Sequence, residues 1–131
     1  MQTLDIALLQ PNTIWHDPQA NQELIAEHLH QLQKSVQLIA LPETWATGFT
    51  MTPEQVAEAP DGPSVLWMHE QAKAHKAAVC GSLAIADKGD SFTIAFSLYT
   101  PVVASIPMTS ITPSRLRENH ASVEWEQTPL R

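Results

Sequence analysis

The sequence predicts an α/β domain over residues 1–90, and three observations carry that prediction. Short apolar runs of strand length recur at 4–9, 38–41 and 77–86. Two longer segments with helical spacing lie between them, and Gly, Pro or Asp punctuates the junctions. Strands alternating with helices in this way argue for a sheet whose first strands are buried on both faces.

The run LDIALL closes at Pro11 and Asn12 and has the length of a buried strand. Asp17 then precedes Pro18, a carboxylate cap followed by a first helical residue that needs no N–H. A helix over 18–34 follows, with Leu24, Ile25, Leu29 and Leu32 on one broad face and Glu23, Glu27, Gln31 and Lys34 outside. The second strand, 38–41, is ended by Pro42. Thr52-Pro53 starts a short helical turn, and Asp61-Gly62-Pro63 is a turn by its dipeptide chemistry. A second helix over 64–76 points Val65, Met68 and Ala72 inward, and a third strand over 77–86 ends in the polar turn 87–90.

With 131 residues, 44% of them apolar, the chain is long enough for one domain with a real core, which excludes disorder throughout. Lys and Arg total 7 against 14 Asp and Glu, a net charge of -7, so no basic surface exists to neutralise a phosphate backbone. Nucleic acid is therefore not an expected partner. A single cysteine closes no intrachain disulfide, and the N-terminus carries neither the basic nor the apolar region of a signal peptide, so a reducing cytoplasm is the expected location. Residues 91–114 contain no charge but are rich in Ser and Thr and interrupted by Pro101, Pro107 and Pro113. A membrane span needs about 20 predominantly apolar residues, which this stretch lacks.

Chemistry concentrates in LPETWATGFTM, residues 41–51. Functional groups of open α/β sheets gather at the carboxyl ends of strands, and Glu43 stands two residues past an apolar run that delivers it there. Pro42 fixes a backbone angle before it, while Trp45 and Phe49 supply apolar surface that would lower the local dielectric and favour a general-base carboxylate. The plainer alternative is a surface Glu that caps its own loop. His28 and His30 stand about 200° apart around a helix axis, and His69 and His75 are also badly spaced, so no zinc site is expected.

These residues resemble a family. The opening LDIALLQPNTIWHDPQAN, the LPETWATGFTM motif and the strand AVCGSLAIA, in this order and spacing, resemble the N-terminal part of the nitrilase superfamily of carbon-nitrogen hydrolases. Within it, LPETWATGFTM looks most like the omega-amidases, which hydrolyse the side-chain amide of 2-oxoglutaramate and related dicarboxylic monoamides. The resemblance covers residues 3–88. It implies an α-β-β-α sandwich, of which this chain holds an incomplete N-terminal portion, a homodimer, and a Glu, Lys and Cys triad with no metal or organic cofactor. In such a site a Glu is general base, a Cys attacks the amide carbon to give a thioester, and a Lys stabilises the oxyanion. Glu43 matches the base, with Trp45 and Phe49 lining the substrate. The Lys and Cys have no counterpart, because Lys34, Lys73, Lys76 and Lys88 all precede the family's Tyr-Asp-Lys motif and Cys80 lies inside a strand. A lone strand thiol is a packing group rather than a nucleophile.

The charge-free stretch begins where the resemblance stops, and one cause would explain both. Joining the third base of each codon to the next two bases permits Tyr-Asn-Arg-Phe over Phe92 to Phe96, the family's motif after its third strand. The junction of Met108 and Thr109 permits only Asp, and its flanking junctions permit Tyr and Lys, which spells Tyr-Asp-Lys. Residues 91–131 are therefore read as a frame-shifted segment, with the frame returning near Arg117. The alternative is a genuine divergent segment. On this reading the chain is a truncated amidase-like hydrolase, inert as it stands; a noncatalytic remnant or a small α/β interaction module is the competing function.

Overall fold

The structure is a computed structural model and describes residues 3–86 and 91–101. Its elements are β1 (Ile6–Leu8), α1 (Pro18–His30), β2 (Leu38–Ala40), a 3-10 turn (Pro53–Gln55), α2 (Pro63–His75), β3 (Ala78–Ala86) and β4 (Phe92–Tyr99). They form one four-stranded sheet in the order β1-β2-β3-β4, parallel for the first two pairings and antiparallel for the last. This is the predicted alternation of strand and helix, with one strand added. The predicted turn at 87–90 and all residues after 101, including the shifted-frame Tyr-Asp-Lys, lie outside the described residues.

Asp17 caps α1 as its sequence suggests, its Oδ1 accepting the Ala20 N–H at 3.0 Å. Ile25 and Leu29 are buried, whereas Glu23, Glu27, Gln31 and Lys34 stay exposed. The helix stops at His30 rather than 34, where the Gln31 N–H turns back to the His28 carbonyl and the Leu32 N–H to the Leu29 carbonyl. Stopping there lets Val36 enter the core and brings Lys34 to Asp5 at 2.8 Å, an exposed ion pair of little energetic weight. α2 ends at His75 because Lys76 takes a left-handed conformation, φ 51°, whose N–H caps the last turn.

The N-terminus of α2 is capped from a distance. Gly62 has no side chain to offer, and Glu58 supplies the acceptor instead: its carboxylate takes the Ser64 N–H at 2.8 Å and the Ser64 hydroxyl. A Cβ on Gly62 would lie 2.7 Å from the Glu58 carboxylate, so the glycine makes room for the cap. Glu58 also bridges to β3, its N–H bonding to the Ala84 carbonyl and its carbonyl accepting the Ala86 N–H.

The register aligns Ala7, Ile39 and Val79 on the face covered by the helices, where Ile25, Leu29, Val65, Met68 and Ala72 complete the core. The opposite face carries Ile6, Leu8, Cys80 and Phe96. Among the described residues that face is exposed at Leu8, 79%, and at Phe96, 50%, while Ser82 and Ala84 on it are buried. Burial of the first strand on both faces, expected from its apolar run, is thus corrected for the described residues: only Ala7 of β1 is buried. The antiparallel strand β4 lies in the charge-free stretch, and its eight residues pair along β3 from Val79 to Ala86. Phe, Ile, Thr and Tyr favour a half-buried pleated surface, so FTIAFSLY carries a strand signal that its lack of charge obscures. No helix among the described residues is long and apolar enough to cross a membrane.

Candidate active site

Because β1 and β2 run parallel, the loops that follow them emerge at the same end of the sheet. Leu41 prolongs the ladder, its N–H bonding to the Cys80 carbonyl at 2.8 Å. After Pro42 the chain leaves the sheet in a tight turn, and Glu43 occupies its outer corner, exposed to solvent. No described residue hydrogen-bonds its carboxylate, so the group is free to meet a ligand or a residue from elsewhere.

Thr44 makes the turn. Its φ is 44°, a left-handed conformation that a β-branched residue rarely takes and that costs on the order of 1–3 kcal/mol. Three hydrogen bonds hold it there. Its N–H donates to the Ser82 hydroxyl at 2.9 Å, and its carbonyl accepts from Thr47 at 3.0 Å and from Gly48 at 2.8 Å. Glu43 is presented outward because the residue after it is locked inward, 3% exposed.

Trp45 anchors the turn from below. Its ring is 1% exposed, packs against Trp67 with centroids 5.0 Å apart, and belongs to the core. A Cβ on Gly81 would lie 2.9 Å from its Cδ1, so the glycine in β3 creates the slot for the indole. The sequence reading makes Trp45 a substrate-lining residue; in the described residues its ring is buried beneath the turn and does not face solvent. Phe49 points the other way, 71% exposed, and its carbonyl accepts the Trp15 Nε1–H at 3.0 Å. The two aromatic rings therefore do not close an apolar wall around Glu43 within the described residues.

The loop after β1 is bound to this turn at several points. The His16 N–H donates to the Thr47 carbonyl at 2.8 Å, and the His16 ring, stacked on Trp15 at 3.6 Å, reaches the Thr50 hydroxyl at 2.8 Å. Asn21, on the first turn of α1, donates to the Ala46 carbonyl at 2.7 Å. It is 1% exposed.

A profile of the carbon-nitrogen hydrolase family matches residues 5–121. The chain belongs to that family. Omega-amidase YafV of Yersinia enterocolitica is 34% identical over 88 residues, which cover 65% of this chain and 32% of the relative. The chain thus spans about a third of the length of that curated relative. Among solved structures, XC1258 of Xanthomonas campestris, a CN-hydrolase superfamily protein with an arsenic adduct in its active site, superposes with a TM-score of 0.73 at 35% identity over 79% of this chain and 39% of its own. Nit3 of Saccharomyces cerevisiae, from branch 10 of the nitrilase superfamily, gives 0.70 at 19% identity over 82% of this chain and 43% of its own, a likeness of fold alone.

The nitrilase-type fold read from the sequence is therefore the fold of this carbon-nitrogen hydrolase chain. By sequence the resemblance ends at Lys88, whereas the family match runs on to residue 121 and includes β4. Cys80 lies within β3, half-buried, and burial pushes its thiol above the ordinary value of 9.0, which suits a packing group. Among the described residues no three His, Cys, Asp or Glu side chains gather as a metal site. A groove of about 680 Å³ between α1 and α2 is lined by Asp17, Gln22, Glu23, Glu58 and Trp67, and Glu43 takes no part in it.

Residue-by-residue chemistry in the sequence misses Asn21, Thr44 and Ser82. For Asn21 a signal exists: it precedes Ile25 and Leu29 by four and eight, so a polar amide stands on the buried face of α1 and must find partners there. The strained φ of Thr44 leaves no mark in the residue type.

Proposed function

We propose that this chain carries the general-base part of an amide-hydrolysing site of omega-amidase type, with Glu43 as the base and a small dicarboxylic monoamide as substrate class. The observation that carries the reading is the presentation of Glu43: an exposed carboxylate at the carboxyl ends of β1 and β2, on a turn whose neighbour is held in a strained conformation by three hydrogen bonds. LPETWATGFTM and the identity to an omega-amidase support the substrate class. Phe49 would line the approach to the site, and Trp45 would act from beneath by fixing the turn.

In the chemistry proposed, Glu43 takes the proton of a thiol as its sulfur attacks the amide carbon, and the protonated carboxyl then gives that proton to the departing ammonia. A thioester remains for water to cleave. A lysine would stabilise the oxyanion formed at each addition. Cys80 sits within β3 and Lys34 is paired with Asp5, and neither matches the family positions for those roles. The 131-residue chain alone is therefore expected to be inert, and its base to work only with a nucleophile and a cation supplied by further sequence.

Ammonia release from 2-oxoglutaramate by the purified chain tests the reading. No release above the uncatalysed rate is expected. Turnover that Glu43→Gln abolishes would show that this chain holds a complete site and would overturn the proposed division of the triad. A cytoplasmic location and a homodimer remain part of the proposal. The competing reading is a noncatalytic α/β module, which the apolar area exposed on the sheet favours.

A further inference from the structure

We propose that Asn21 is a positioning residue for the Glu43 turn, clamping the loop after β1 to the loop after β2. Both polar atoms of its side chain are engaged. Oδ1 accepts the Ile14 N–H at 2.7 Å, while Nδ2 donates to the Ile14 carbonyl and to the Ala46 carbonyl, each at 2.7 Å. An acceptor oxygen beside a nitrogen with two donors is the arrangement of a primary amide, and no hydroxyl, carboxylate or apolar group supplies the same set. The orientation is fixed by the partners, since a flipped amide would set its oxygen against two carbonyls.

The clamp acts where the turn most needs support. Ala46 and Thr47 are 1% and 3% exposed, so their carbonyls have no water to fall back on. Asn21 satisfies the first and the His16 N–H satisfies the second, and His16 is held close by the bonds that Asn21 makes to Ile14. Ser82 fixes the other end of the turn through the Thr44 N–H. Held at both ends, Thr44 keeps its left-handed conformation and Glu43 keeps its direction. The functional meaning of the clamp rests on the reading of Glu43 as base; the clamp itself is a statement about the turn.

The test is amide hydrogen exchange on the full chain, comparing wild type with Asn21→Asp and Asn21→Leu. The aspartate variant keeps the acceptor but loses both donors and faces two carbonyl oxygens. Its introduced carboxyl will hold a proton in the folded state well above the unfolded value of about 3.9. The sign follows: the protonated form restores one of the two donors, so the clamp is partly restored below the unfolded pKa and lost as pH rises through the folded one. At neutral pH the Thr44, Thr47 and Gly48 amides are expected to lose protection by about 10-fold or more, the scale of a buried carbonyl losing its donor, while Val79 and Leu83 in β3 keep theirs. Acidification should restore part of the protection in Asn21→Asp and none in Asn21→Leu.

Unchanged exchange at 44, 47 and 48 would overturn the proposal. So would an equal loss in β3, which would make Asn21 a support of the whole fold, and so would full protection in Asn21→Leu, which would make it a space filler. Glu43→Gln should leave all these amides unchanged. Failure of the base assignment would appear only in activity, and failure of the clamp only in exchange.

Discussion

The place of Glu43 at a sheet end was legible in the sequence because its neighbours are local: an apolar strand, a proline and a turn. What holds it was less legible, because Asn21, Ser82 and Gly81 come from other elements and meet only in the folded chain. Gly81→Ala tests the slot beneath the turn. Its Cβ would meet Trp45 Cδ1 at 2.9 Å and Leu41 Cβ at 3.0 Å, and neither the buried indole nor the Leu41 stem can swing away. A loss of about 1–3 kcal/mol is expected, read from urea denaturation, with Trp fluorescence reporting the displaced ring. Cys80 gives a second expectation at this scale. With its thiol pushed up by burial, alkylation of the folded chain at neutral pH should be slower than that of a free thiol and should accelerate as pH rises past 9.0. Rapid labelling at pH 7 would mean that the thiol is activated.

Among the elements, the helix starts divide by the distance over which they are written. α1 is capped by Asp17, one residue before it, and the pair Asp17-Pro18 announces the start in the sequence. α2 is capped by Glu58, which precedes its first residue by five and also bridges to β3, so the cap is visible only once the turn at Gly62 is formed. Replacing Glu58 by Ala should therefore cost more than replacing Asp17 by Ala. The second loses an exposed cap of about 1 kcal/mol, whereas the first also leaves the hydroxyl of the fully buried Ser64 short of a partner, adding about 1–3 kcal/mol. Equal effects in chemical denaturation would show that the Glu58 carboxylate is replaced by water at no cost. β4 was missed for a different reason: FTIAFSLY does alternate Phe, Ile, Phe and Leu with Thr, Ala and Ser, but it stands in a charge-free stretch read as frame-shifted, and the side it buries is the polar one, Thr93 and Ser97.

For the whole molecule, the alternation of strands and helices made the fold class legible, while the exposure on the second face was hidden, because an apolar residue in a strand does not declare whether anything covers it. Among the described residues, Ile6 and Leu8 on β1 and Phe96 on β4 leave apolar area exposed on the sheet side away from the helices. Such a surface promotes association, and a sharp, concentration-independent unfolding of a monomer would count against that expectation. The frame-shift reading makes the last prediction. Among the described residues upstream of 91, the caps, the Trp45 slot and the clamp agree with one another and present one carboxylate. Under the proposed function, a nucleophile and a cation would have to join the carboxylate that this part of the chain presents. Reading the coding DNA over codons 88 to 120 should reveal a single insertion or deletion whose repair spells Tyr-Asp-Lys across Pro107 to Ser110. Restoring that frame and adding the family's cysteine region should then yield an amidase that Glu43→Gln slows by about 10²- to 10⁴-fold, the contribution of a general base. If the repaired protein folds and hydrolyses dicarboxylic monoamides no faster than its Glu43→Gln variant, the carboxylate that this turn presents is not the base.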